Sequence, residues 1–325
     1  MPAKSLDLKL ESLRQVRSDP CSDSSSQHLR RLLGDKSWLV VSEAARIIAD
    51  HRLEGFNEAL RSIWSRFVDS AKKDPGCRAK EAGLTALDAL EILDSEPFLE
   101  AVCYRQLEPV AGGKVDTAGG VRVRAQFALF RQVHPDAALW AGYLMADADP
   151  QVRAAIARGL GVYGDRTTSA LLVHKLVAGD EDPAVLSECA ASLLLAADDF
   201  ALSLLGSFLK GDDDLLREIA AVNLAQSKTP EVVSVLLQWL EDAAYDRDVG
   251  LGIRALGLSR LEPARGYLLD LVEAGSPFRA RAAVEALSAH HYDEVLLARV
   301  RDAAGKSHVT GLVQLFERCF RGRGA

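Results

Sequence analysis

The sequence predicts an all-α protein, a right-handed solenoid of about eight antiparallel helical pairs. Three observations predict it. The first is internal repetition. Asp149-Pro150-Gln151-Val152-Arg153 leads to Leu160, Asp182-Pro183-Ala184-Val185 to Leu193, and Asp213-Asp214-Leu215-Leu216-Arg217 to Leu224. Asp246 leads to Leu256, and Pro277-Phe278-Arg279 to Leu287. The terminal leucines stand 33, 31, 32 and 31 residues apart, the period of stacked helix pairs. The second is composition: 48% of residues are hydrophobic but only 6% aromatic, so Ala and Leu supply most of the apolar surface. That suits closely packed helices better than a β-sandwich. The third is the recurring Asp-Pro pair. Asp caps free amides at a helix start, and Pro needs no hydrogen-bond partner in the first turn.

The elements follow in order. Leu6 to Val16 has Leu6, Leu10, Leu13 and Val16 at helical spacing and reads as a short amphipathic helix. Ser18 to Ser26, rich in Ser with a Pro and two Asp, reads as a flexible linker, so residues 1–26 form a leading helix and tether. The array spans residues 27–308. It opens with Leu29, Leu32 and Leu33, then a helix through Trp38, Val41, Ala44 and Ile48, then Phe56 to Val68. A second unit starts at Asp74-Pro75-Gly76-Cys77-Arg78. From residue 121 onward A helices (Val121–Gln132, Pro150–Tyr163, Pro183–Ala196, Leu215–Gln226, Arg247–Ser259, Pro277–Ala289) alternate with B helices. The B helices run roughly Ala137–Ala146, Thr168–Ala178, Phe200–Lys210, Glu231–Asp242, Ala264–Ala274 and Glu294–Ala304. Residues 309–325 carry a capping helix, Val309 to Phe320.

Asp149-Pro150-x-Val152-Arg153-x-Ala155-x-Ala157-x-x-Leu160-Gly161 resembles the consensus of HEAT-like repeats, including those of bacterial HEAT and phycobilisome-lyase-type proteins. The resemblance covers nearly the whole chain, most strongly 116–304. Asp74-Pro75-Gly76-Cys77 and the stretch from Gln106 to Ala118 are similar to a further group of bacterial HEAT-repeat proteins. The resemblance implies protein–protein contacts and no single activity. It also implies that B helices line the concave side.

Aligning the B helices on their final apolar pairs (such as Leu176-Val177 and Trp239-Leu240) gives a column of candidate partner-binding residues: Tyr143, Lys175, Ser207, Gln238, Asp270 and Arg299. The column lies at the edge of the buried stripe, and Tyr143 is the rigid aromatic that a recognition groove favours. Trp239 occupies a position held elsewhere by Leu or Phe and reads as interior. A second candidate is the irregular stretch Glu108 to Gly120, with four Gly and a Pro. It reads as a connector, as a partner-binding loop using Glu108, Lys114 and Asp116, or as an anion cradle without the phosphate-loop pattern. A third is an acidic edge at Asp180, Asp182, Asp212 and Asp213, read as helix caps or as a surface for a basic partner. Arg122, Arg153 and Arg217 recur at one repeat position, to knit adjacent turns to aspartates or to line a groove.

Charge narrows the function classes. The net charge is −7, and residues 125–246 carry 8 basic and 18 acidic side chains, against 12 basic and 9 acidic in 247–325. An acidic middle repels phosphate backbones and argues against nucleic acid. No apolar run reaches bilayer length, and the start lacks an apolar signal core. The five cysteines include no Cys-x-x-Cys and point to a reducing, cytoplasmic setting. Cys77 lies near Lys80 at a helix start, which lowers a thiol pKa, yet no histidine is close in sequence to serve as its base. His290-His291 reads as a solvated pair, and neither metal ligands nor a cofactor motif stands out. The reading is a non-enzymatic scaffold or adaptor binding another protein on its concave face or on its acidic edge, where a basic surface on the partner would fit. The alternatives are a HEAT-like enzyme, such as an alkylpurine DNA glycosylase or a phycobilin lyase-like protein, and a regulatory subunit of a cytoplasmic complex.

Overall fold

The computed structural model describes residues 2–227 and 230–321. The chain is 72% helical and divides into two compact units, Met1–Gly164 and Asp165–Ala325. Each unit stacks helices in the manner of an α-solenoid.

The first unit contains α1 (Pro2–Ser18), α2 (Asp23–Leu33), α3 (Trp38–Asp50), α4 (Asn57–Phe67), α5 (Arg78–Ala89) and α6 (Glu96–Ala101). A hairpin follows, β1 (Leu107–Val110) and β2 (Gly113–Asp116), and then α7 (Gly119–Arg131), α8 (Ala137–Leu144) and α9 (Pro150–Tyr163). Helices α3, α5, α7 and α9 lie side by side in that order. Small residues at the contacts, Ala44, Ala45, Ala79, Ala125 and Ala128, let them approach closely and are fully buried. At Gly159 of α9 a methyl group would stand 2.6 Å from the ring of Phe127, so that approach needs a bare Cα.

The second unit contains α10 (Ser169–Ala178), α11 (Pro183–Ala196), α12 (Asp198–Leu209), α13 (Asp214–Gln226) and α14 (Glu231–Asp242). It continues with α15 (Asp246–Leu258), α16 (Glu262–Ala274), α17 (Pro277–Leu287), α18 (Glu294–Lys306) and α19 (Leu312–Arg321). The A helices α11, α13, α15 and α17 stack in sequence, and α19 closes the row against α17 and α18. Leu312, Leu315, Phe316 and Phe320 bury the inner face of α19, as a capping helix requires. The last four residues of the segment 309–325 lie outside the described residues.

Helix starts obey the capping chemistry. Asp149, Asp182 and Asp213 have extended backbones and accept the amides of Gln151, Ala184 and Leu215, each at 2.9 Å. Three expectations need correction. The span Ser18 to Ser26 is not a linker throughout: α1 runs to Ser18 and α2 begins at Asp23. The serines are the reason, because Ser22 caps α2 through the Ser25 amide and the Ser25 hydroxyl donates to the Asp19 carbonyl at 2.7 Å. Asp74-Pro75 does not open an α-helix directly. Gly76 (φ 66°) and Cys77 (φ 56°) are left-handed, α5 starts at Arg78, and Asp74 reaches forward to the amides of Ala79 (2.8 Å) and Lys80 (3.1 Å). Finally, the stretch from Glu108 holds a regular antiparallel ribbon turning at Ala111-Gly112, where Gly112 has φ 92°.

Candidate functional site

A buried polar network joins the hairpin to the helices of the first unit. Asp74 and Lys80 pair at 2.9 Å with both side chains fully buried, and the Lys80 ammonium also donates to the Phe67 carbonyl at 3.2 Å. The Gln106 amide donates to the Asp74 carbonyl (2.9 Å) and to Glu108 (2.7 Å). Glu108 further accepts the Gly76 amide and the Thr117 hydroxyl, each at 2.7 Å. That hydroxyl, opposed by burial and aided by the Gly76 and Gln106 donors, holds the Glu108 carboxyl below its usual range. Around Asp116, burial alone would raise the pKa. The amides of Ala118 and Gln106 and the Arg122 guanidinium outweigh it and hold the group low.

Arg122 has no exposed side-chain surface and meets Asp116 at 2.8 Å and Asp147 at 2.9 Å. Arg105 pairs with the same two carboxylates at 3.1 and 3.0 Å. Arg153 donates to the Asp147 carbonyl at 2.7 Å, and Arg217 pairs with Asp214 at 2.5 Å. The recurring arginines thus knit turns together. They do not line a groove.

The network consumes two of the three loop residues singled out in the sequence. Glu108 and Asp116 turn their carboxylates onto the protein's own donors, and only Lys114 stands exposed. Cys77 is buried as well, as a small residue of a helical repeat usually is. Its thiol is buried under the Thr117 hydroxyl at 3.8 Å, and burial pushes its pKa up to about 11 despite Lys80. Burial thus opposes formation of the nucleophilic thiolate.

The B-helix column divides between the units. Tyr143, in the first, is 50% exposed and packs edge-on to Trp140 at 5.8 Å. In the second unit Ser207, Gln238, Asp270 and Arg299 are exposed, with Arg299 paired to Glu262 at 2.5 Å. Lys175 is drawn inward by Asp180 at 2.7 Å. The pair Leu176-Val177 is not a core pair: Leu176 is buried but Val177 is 68% exposed. Trp239-Leu240 is one, with Trp239 interior at 5% exposure. Ser207 and Gln238 are brought together. Both line an open groove of about 290 Å³ between α12 and α14, whose lining also includes Leu202, Gly206, Leu209, Lys210, Val235 and Trp239.

At the acidic edge, Asp182 and Asp213 are helix caps, Asp180 is buried against Lys175, and Asp212 is exposed. His290 is tied to the Gly257 carbonyl at 2.7 Å, so it is not a free solvated residue. Among the described residues no group of three His, Cys, Asp or Glu side chains is placed to hold a metal ion. None of the described helices is long and apolar enough to cross a membrane.

Comparison with known proteins adds the following. Residues 137–225 match the family model of HEAT repeats. The chain carries HEAT-like repeats. No curated protein sequence matches. Similar structures include the following two. One is the complex of CpcE and CpcF of phycocyanin lyase from Nostoc sp. PCC7120 (15% identity, 78% of this chain and 95% of that chain covered, TM-score 0.38). The other is a homology model of the full-length AP-3 complex in an intermediate open conformation (11% identity, 98% and 72% covered, TM-score 0.45).

The hairpin and the Asp74–Lys80 pair were missed at the sequence level. A signal existed for the first: Leu107-Glu108-Pro109-Val110 and Lys114-Val115-Asp116 flank Ala111-Gly112-Gly113, short extended runs around a glycine turn.

Proposed function

We propose that this protein is a non-enzymatic scaffold whose HEAT-like repeats bind another protein, with the groove between α12 and α14 as the contact. One observation carries the reading. Ser207 and Gln238, aligned only by repeat position, line one groove together with the apolar Leu202, Leu209, Val235 and Trp239, and the Ser207 hydroxyl, which donates to the Leu204 carbonyl, keeps its oxygen as an acceptor. A small apolar floor with a few placed polar groups is what a partner side chain needs for affinity and orientation. Charge selects the partner. Residues 165–246 carry 15 acidic and 5 basic side chains, so a segment with Lys or Arg beside a small apolar residue is favoured in encounter and register. We place the protein in the cytoplasm, where the free thiols Cys21, Cys77, Cys103 and Cys189 stay reduced.

The test is affinity capture from the native cell with mass spectrometry, comparing the wild type with the double variant Ser207→Tyr/Gln238→Ala. The introduced phenol ring would fill the groove while both positions stay on the surface. A stoichiometric partner bound by the wild type and lost from a variant that melts normally supports the reading. An identical capture by both proteins would sink it.

A further inference from the structure

The hairpin pairs Leu107 with Asp116, Glu108 with Val115, Pro109 with Lys114 and Val110 with Gly113. Thr117 donates its amide to the Gln106 carbonyl at 2.9 Å, which fixes the phase of the ladder. Antiparallel pairs alternate between hydrogen-bonded and non-hydrogen-bonded. With 106 and 117 bonded, the bonded pairs beyond them are 108/115 and 110/113. The peptide groups of Leu107, Pro109, Lys114 and Asp116 therefore point outward from the ribbon.

Its two outer edges are not equivalent. The β1 edge carries Pro109, which has no N–H and blocks an incoming strand. The β2 edge carries the outward N–H and C=O of Lys114 and Asp116. Side chains on the ribbon remain in water: Leu107, Val110 and Val115 are 58%, 51% and 44% exposed. A two-stranded ribbon is marginal alone and gains from a third strand. Lys114 is exposed, and among the described residues no carboxylate lies within ion-pair distance of it, whereas Arg105 and Arg122 are both paired.

We propose that the outer edge of β2 is a strand-addition site for an extended segment of a partner protein, with alternating apolar side chains and a carboxylate set against Lys114. Backbone complementarity supplies the hydrogen bonds, and the unpaired ammonium supplies the sign of the charge. A second copy of this chain is the poorer occupant. Pairing two β2 edges about a two-fold axis sets one Lys114 close to the other, and like charges across a strand pair repel. The strand edge belongs to the first unit and the groove between α12 and α14 to the second, so an empty groove would leave the edge standing.

The test uses the full chain. Amide hydrogen exchange in the free protein is measured first; the Lys114 amide is expected to exchange quickly and the Val115 amide slowly. Short random peptides displayed on phage are then selected on the protein. The expected peptides alternate apolar residues around an acidic one and protect the Lys114 amide on binding. They lose about tenfold or more in affinity on Lys114→Pro, which removes a main-chain hydrogen bond and a charge, and less on Lys114→Ala, which keeps the N–H. Slow exchange at Gly113 and Val115 in Lys114→Pro shows that the ribbon persists. If it does not, Lys114→Glu is used, and selection is expected to turn from acidic to basic peptides. The proposal is overturned by a slow Lys114 amide in the free protein, by selection that yields no peptide protecting it, or by peptides held equally tightly by Lys114→Pro. A dimer that Lys114→Pro dissolves overturns it too, by giving the edge to a second copy.

Discussion

The two units solve the same packing problem by different means. In the second, α11, α13 and α18 begin at aspartate caps, the helices meet through Leu, Val and Ala, and the charges lie mainly at the surface. In the first, fully buried charges hold the turns: Asp74 with Lys80, and Arg122 with Asp147. The first unit balances 22 basic against 22 acidic side chains, while the second has 17 against 24 and so carries the whole net charge. A regular repeat needs only local rules at each helix start. A repeat interrupted by a hairpin must satisfy stray backbone groups, and it does so with buried ions whose removal is costly in one direction only: loss of one partner strands the other.

That contrast can be broken by mutation, and the tryptophans report on the units separately, with Trp38, Trp64 and Trp140 in the first and Trp239 in the second. The largest effect is expected for Asp147→Ala. It takes from Arg122 its fully buried carboxylate partner, leaving Asp116 and the Tyr104 carbonyl, and should lower the stability of the first unit by about 3 kcal/mol. Asp182→Ala, which removes only a cap, should cost about 1 kcal/mol in the second. Equal shifts in the two urea midpoints would erase the distinction. Next is Gly252→Ala, where a methyl group would stand 2.7 Å from Leu240. Overpacking should cost about 1–3 kcal/mol, seen in the Trp239 transition and not in that of the first unit.

Acid should act first on the hairpin. The carboxyls of Glu108 and Asp116 are held below their usual values, so their stabilising contribution is present above the unfolded carboxylate pKa and is lost as pH falls through the depressed folded values. Amide exchange at Gly113 and Val115 should accelerate below about pH 4, relative to α13 of the second unit. Uniform acceleration would count against a special role for the network. The smallest effects belong to the acidic edge. Asp182→Asn and Asp213→Asn keep capping and should change stability by less than about 0.5 kcal/mol, while reducing the salt dependence of binding to a basic partner. Asp180→Asn should cost more than either, because its carboxylate is buried against Lys175.

This pattern also explains what could be read in advance. The Asp-Pro caps of α9 and α11 and the closing helix α19 rest on residues a few positions apart, and local spacing reveals them; the repeat period and the interior Trp239 rest on self-similarity at 31 to 33 residues. That Ser207 and Gln238 line one groove follows from repeat alignment, which converts a separation of 31 residues into adjacency. The partners of Arg122 could not be found that way. Asp147 lies 25 residues on, and Gly76 donates to a carboxylate 32 residues away; no periodicity announces such pairs. Glu108 and Asp116 look on the page like exposed loop acids, and they are consumed only because the ribbon folds back onto the start of α5. Ser22 and Ser25 were misread for a related reason, since a serine-rich stretch is compositionally the same whether its hydroxyls meet water or cap a helix.

Cys77 turns this geometry into a clock. Its thiol lies under Thr117 at the base of the ribbon and is 1% exposed, while Cys21 and Cys103 are open to solvent. With Cys21, Cys103 and Cys319 replaced by serine and Cys189 by alanine, a thiol reagent reaches position 77 only when Thr117 lifts away. The rate of modification then reads the opening frequency of the ribbon's root in the intact protein, without any partner in hand.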